Sequence, residues 1–178
     1  CGAGAFLYAM RERERESTLL VAGIDYAEAL IEAAKKALPD GVFEVREAKD
    51  LNIATQYDYV IANSVFHYFT PEYAREVLQR MIMKAKIDVA IMEIPDAATR
   101  GESEAIRRDF MTPAEYEKKY KGLEHTYYER NWFREQASEY GFQCETFDGC
   151  VPNYAQNRFR FGCIIYKLNS MSKLDNTQ

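Results

Sequence analysis

The sequence predicts an α/β domain on a mainly parallel, doubly wound sheet whose last strand runs antiparallel. Three observations lead there. Short apolar runs alternate with amphipathic stretches as far as Asp96. The last two apolar runs lie close enough along the chain to form a hairpin. A length of 178 residues, with 47% hydrophobic and 29% charged, suits one domain with a substantial core.

The chain opens on "CGAGAFLYAM", where Gly2 and Gly4 bracket Ala3 ahead of a helix. Glycines at a helix start let a ligand or a preceding strand approach closer than a Cβ allows, and the helix terminus behind them offers unpaired N–H groups. No strand stands ahead of this turn, so the first strand of the sheet is expected to be missing and the stability to be marginal. The run Arg11 to Glu16 is a solvated helix face with local ion pairs. "STLLVAGID" reads as a buried strand ending on Asp25. In "YAEALIEAAKKALPDG", Ala29, Leu30, Ala33, Ala34, Ala37 and Leu38 have helical spacing, and Pro39 and Gly41 end the helix.

"VFEVREAKD" is the next strand, and "YDYVIANSVFHYF" supplies another with Asn63 to His67 as the loop at its carboxyl end. Thr70 and Pro71 cap and start the helix "EYAREVLQRMIMKAK". "IDVAIMEIPD" is a further strand. Residues 97–128 then form a charged, aromatic-rich helical insertion over one end of the sheet, expected to act as a lid. "ERNWFREQASEYGF" returns to a helix ended by Gly141, and "QCETFDG" and "RFRFGCIIYK" are the two final strands. A domain over 1–168 with a flexible tail over 169–178 follows from this order.

A net charge of −5 argues against a nucleic-acid partner. Cys1, Cys144, Cys150 and Cys163 form no CxxC pair and no zinc-ligand set, so free thiols in a reducing, cytoplasmic compartment and no metal are expected. The longest apolar runs fall short of the ~20 residues a membrane span needs, which leaves no membrane partner.

In a doubly wound sheet, ligands bind beyond the carboxyl ends of the strands. There stand the glycine turn, Asp25, the "REAKD" segment and the "NSVFHYF" loop. Asp25 follows the turn at the distance at which an acidic side chain accepts hydrogen bonds from a ribose diol. In order and spacing, "CGAGAFL", "VAGIDYAEALIEAAKKALP", "VREAKDLN", "YDYVIANSVFHYF" and "IDVAIMEIPD" resemble the successive motifs of class I S-adenosylmethionine-dependent methyltransferases.

That resemblance implies a Rossmann-like, seven-stranded mixed sheet with an antiparallel final strand and S-adenosyl-L-methionine as cofactor. It places Gly2 and Gly4 under the methionine part of the cofactor, Asp25 on the ribose, Tyr26 against the adenine, and Glu47 and Ala48 at the adenine amine. It puts Asn63, with Ser64 and Val65 beside it, at the methionine end. The family's acidic residue and further glycine ahead of the turn are not in this sequence, and "MKAKID" stands where a proline–glycine turn is common.

Methyl transfer needs an acceptor atom in line with the methyl group, and a base helps when that atom carries a proton. The two histidines, His67 and His125, are the catalytic candidates. Tyr127, Tyr128, Tyr154 and Arg158 are the acceptor-binding candidates. The acidic balance and compact insertion favour a small-molecule acceptor, methylated on oxygen or nitrogen. A non-catalytic binding or regulatory module on the same fold is the alternative. A nicotinamide-dependent oxidoreductase is disfavoured because position 7, where GxGxxG spacing needs its third glycine, is Leu7.

Overall fold

A computed structural model of the chain describes residues 1–14, 19–109, 111–122 and 125–167. The expected tail over 169–178 lies outside the described residues. Two compact units divide the chain, Cys1–Asn52 and Ile53–Gln178.

The first unit runs α1 (Ala5–Arg13), β1 (Ala22–Asp25), α2 (Glu28–Ala37), β2 (Val42–Val45) and a 3₁₀ turn over Ala48–Asp50. Strands β1 and β2 pair in parallel, from Ala22 opposite Val42 to Asp25 opposite Val45. Val21, Ile31, Ala34, Leu38 and Phe43 form the core, with Leu7 and Leu19 packed on it. The stripe that α2 buries is therefore Ile31, Ala34 and Leu38, at i, i+3 and i+7. Leu30, expected on that face, is exposed. The strand expected over "VFEVREAKD" stops at Val45, after which the Arg46 N–H donates to the Asp25 carbonyl at 2.8 Å and the chain turns.

The glycine turn has two separate physical reasons. Gly4 caps α1 with φ +80, and a Cβ there would lie 3.3 Å from the Ala34 Cβ, so a glycine lets α1 start against α2. Gly2 also has positive φ, but nothing lies within 4 Å of its missing Cβ. Its open side leaves backbone accessible.

The second unit runs β3 (Tyr57–Asn63), α3 (Pro71–Lys84), β4 (Ala85–Pro95), α4 (Arg100–Asp109), α5 (Pro113–Tyr120), α6 (Arg130–Glu139), β5 (Gln143–Asp148) and β6 (Arg160–Tyr166). Its sheet has the order β3-β4-β6-β5, with β3 and β4 parallel and the remaining pairs antiparallel. Thr70 caps α3 by accepting the Tyr73 N–H at 3.3 Å, and Pro71 opens the helix as expected. Helix α3 buries Ala74, Val77, Leu78, Met81 and Ile82, then passes straight into β4 with Ala85 as its cap. Phe66, Phe133, Phe161, Ile91 and Ile94 are among the fully buried side chains.

Gly141, with φ +75, ends the α6 region, and the last two strands pair antiparallel. Strand β6 begins only at Arg160. Asn157–Phe159 is a 3₁₀ turn, so Arg158 is not on the strand where the sequence places it. The resemblance implies seven strands, the first of them expected to be missing. The described residues form six strands in two sheets, one of two strands and one of four.

Candidate active site

In the first unit, Asp25 gathers backbone donors because it ends β1 beside the glycine turn. Its Oδ2 accepts the Gly2 N–H at 2.8 Å and the Cys1 amino group at 3.1 Å, and its Oδ1 accepts the Ala27 N–H at 3.0 Å. Partial burial by itself raises the Asp25 pKa, but hydrogen bonds to the carboxyl, first those from the Ala27 and Gly2 N–H groups, hold it below its ordinary value. Oδ1, which accepts a single N–H, retains a lone pair for a further donor. Tyr26, next along the chain, is 75% exposed and presents its ring to solvent. Glu47 is exposed as well and caps the 3₁₀ turn that Ala48 begins.

In the second unit, β3 ends on exposed Asn63 and Ser64. Ser64 has φ +55, an uncommon conformation for a residue with a Cβ, and its N–H donates to the Met92 carbonyl at 3.1 Å. Glu93 on β4 has φ +61, beside the register shift between Ile91 and Ile94 in the β4–β6 pairing. Two left-handed non-glycine residues thus stand at the carboxyl ends of adjacent parallel strands, the region where strain accompanies function.

The fold brings the two histidines together. His67 lies in a 3₁₀ turn over Phe66–Tyr68, only 3% exposed, with its ring centroid 4.5 Å from that of His125 and 4.0 Å from that of Tyr68. The Thr126 N–H donates to the His67 carbonyl at 2.9 Å, tying the two segments by backbone. Arg107 of α4 lies with Nη2 3.2 Å from His125 Nδ1. A guanidinium only donates, so in neutral His125 the Nδ1 accepts and the proton sits on Nε2. His67 Nδ1 is buried without a partner.

Burial, His125, Arg160 and Arg107 together push the His67 pKa down to about 3, while burial and the two arginines lower that of His125. Both rings are neutral at physiological pH.

Around them, Arg160 donates from Nη1 to the Glu93 carbonyl at 2.8 Å, and the Tyr154 hydroxyl donates to Glu93 Oε2 at 2.8 Å. The Tyr127 hydroxyl meets Ser103 Oγ at 3.4 Å. Tyr128 has a packing role instead of the acceptor contact read from the sequence. It is 3% exposed, and its hydroxyl donates to the carbonyls of Phe66 and Phe69 at 3.1 and 2.9 Å. Arg158 likewise turns outward, paired at 3.1 Å with Glu102 of α4, both side chains exposed. Arg107 and Glu93 are members of the cluster that the sequence did not single out. Glu93 had a signal, as a charged residue near the carboxyl end of an apolar strand. Arg107 had none, because its helix is charged throughout.

Residues 1–88, just under half of the chain, match a family model described as a methyltransferase domain. Among solved structures, the chain is similar to magnesium protoporphyrin IX methyltransferase from Synechocystis PCC 6803 with bound SAH. The identity is 16% and the TM-score 0.66, over 94% of this chain and 70% of that one. It is similar to the plantazolicin methyltransferase BpumL in complex with a pentazolic desmethylPZN analog and SAH, at 14% identity and TM-score 0.66, over 94% and 74%. It is also similar to an O-methyltransferase family protein from Burkholderia thailandensis, at 16% identity and TM-score 0.66, but spans only 48% of that chain. No curated protein matches the sequence. The fold is thus the Rossmann-like α/β fold of these methyltransferases. The first half of the chain thus matches a methyltransferase domain, and the whole described chain shares its fold with methyltransferases solved with SAH or SAM.

Proposed function

We propose that this protein transfers the methyl group of S-adenosyl-L-methionine to an oxygen or nitrogen of a small-molecule acceptor. The cofactor supplies an electrophilic methyl on a sulfonium, and the attacking atom's electron pair displaces the thioether. The observation that carries the cofactor part is the Gly2 N–H bonded at 2.8 Å to the Asp25 carboxylate, which ties the glycine turn to the end of β1.

In this reading Asp25 accepts the ribose hydroxyls, exposed Tyr26 stacks on the adenine, and Glu47 and Ala48 read its amine. The open backbone at Gly2 and the turn through Gly4 approach the methionine part.

On the acceptor side, His67 and His125 are the catalytic residues, with Tyr127 and Tyr154 as acceptor contacts. A neutral hydroxyl that attacks a methyl group becomes a strongly acidic oxonium as the bond forms, so even a weakly basic imidazole takes its proton. His125 carries its proton on Nε2 and is suited to donate a hydrogen bond. His67, held neutral, is the ring left to accept the proton. The segment 97–128 covers the acceptor in this reading. Among the described residues no helix is long and apolar enough to cross a membrane. The four free thiols favour a reducing, cytoplasmic setting.

Calorimetric titration with S-adenosyl-L-methionine tests the core of this reading. Binding is expected, with Asp25→Ala weakening it by tenfold or more. A chain that binds no cofactor overturns the assignment.

A further inference from the structure

We propose that Arg107, Arg160, His67 and His125 form a subsite for the carboxylate of a small-molecule acid, which makes the acceptor an acid. The inference rests on the methyltransferase reading for the word acceptor, but the subsite stands on its own geometry.

His67, His125 and Arg107 come together from a 3₁₀ turn after β3, the chain ahead of Tyr128 and helix α4, and Arg160 of β6 is near enough to act on both rings electrostatically. Arg160 is 10% exposed and paired with Glu93, whose carboxylate lies 3.6 Å from its Nε and also accepts the Tyr154 hydroxyl. Arg107 has no carboxylate within 4.0 Å among the described residues. Its contacts are the His125 ring nitrogen and the face of Tyr120, 5.8 Å away. Both arginines act electrostatically on both rings.

With the imidazoles neutral, Glu93 matches the Arg160 charge, and among the described residues the Arg107 charge has no matching carboxylate, an excess of one positive charge. A structure that neutralises its partly buried charges would place a carboxylate beside Arg107. Among the described residues none is there, and the buried His67 Nδ1 likewise has no hydrogen-bond partner among them. A single excess charge suits a monoanion better than a phosphate dianion, and a guanidinium fork matches a carboxylate. Tyr68, Tyr120 and Tyr127 supply aromatic surface for the body of such an acid.

The two histidines of the sequence are both in the cluster, so imidazole NMR signals of the whole chain report on this site alone. Benzoate is the probe and benzamide its neutral counterpart. Benzoate is expected to shift both imidazole signals saturably and to raise the His125 pKa towards its ordinary 6.5, because an added negative charge favours the protonated ring. Benzamide should do neither. Arg107→Gln is expected to weaken benzoate at least tenfold, with Arg107→Lys recovering part of the loss.

Equal responses to benzoate and benzamide, or none to either, overturn the subsite, as does phosphate binding tighter than benzoate. Should Arg107→Gln fail to fold, the two-probe comparison on the unaltered chain decides alone. S-adenosyl-L-methionine titrated into the same samples separates the two ideas. Cofactor binding without a benzoate response rejects only the subsite, whereas a benzoate response without cofactor binding rejects the methyltransferase reading.

Discussion

His67 is a residue whose environment sets a measurable pH dependence. Its folded pKa of about 3 lies below the ordinary 6.5, so between those values the unfolded chain binds a proton that the folded chain refuses. The stability held by the neutral ring is fully present above about pH 6.5 and is lost as pH falls towards 3. His125, shifted the same way, adds to it. Thermal unfolding followed by circular dichroism should show the melting temperature falling between pH 6.5 and 4.5, above the range where carboxylates titrate, and His67→Phe should flatten that slope.

A second residue-scale test concerns Tyr128. Tyr128→Phe takes the hydroxyl donor from the Phe69 carbonyl, while the Phe66 carbonyl keeps the Phe69 N–H at 3.0 Å, and is expected to cost about 1–3 kcal/mol in a denaturant titration. The sequence marked both histidines and Asp25 because their residue types and strand-end positions are visible in one dimension. It misplaced Tyr128 and Arg158 because whether a side chain turns inward depends on packing that local pattern does not encode.

Elements were legible where a local signal fixes them. Thr70–Pro71 starts α3 as read from its cap, and Gly141 with positive φ follows α6. On α2, Ala34 and Leu38 are buried as read, but alanines on both sides of the helix blur the apolar stripe, and Ile31 takes the core where Leu30 was expected. The strained turns at Ser64 and Glu93 were invisible, since neither residue type advertises a positive φ.

Helix α5 has only eight residues and depends on its start. Thr112 Oγ1 accepts the Glu115 N–H while the Glu115 carboxylate accepts the Thr112 N–H at 2.8 Å, a reciprocal capping box. Thr112→Ala is expected to cost about 1 kcal/mol and to speed amide exchange across α5 first. Gly4→Ala forces a Cβ into both a left-handed conformation and the Ala34 side chain. It should lower the melting temperature and perturb amides of α1 and α2.

At the scale of the molecule, the two units differ in what each buries. The first has a five-residue core under a two-stranded sheet, whereas the second carries a four-stranded sheet and most of the large buried side chains. Small cores are marginal. Amide hydrogen exchange should therefore be faster across β1 and β2 than across β4 and β6, and S-adenosyl-L-methionine should slow it chiefly around Asp25.

The direct passage of α3 into β4 carries a different consequence. A helix and a strand joined without connecting residues have no slack, so one added residue at Lys84–Ala85 would either rotate α3 by about 100° or slide β4 by one pleat. Each outcome turns a buried stripe outward. Insertions that preserve the fold belong in the long connections of this unit, from β4 to α6 and from β5 to β6.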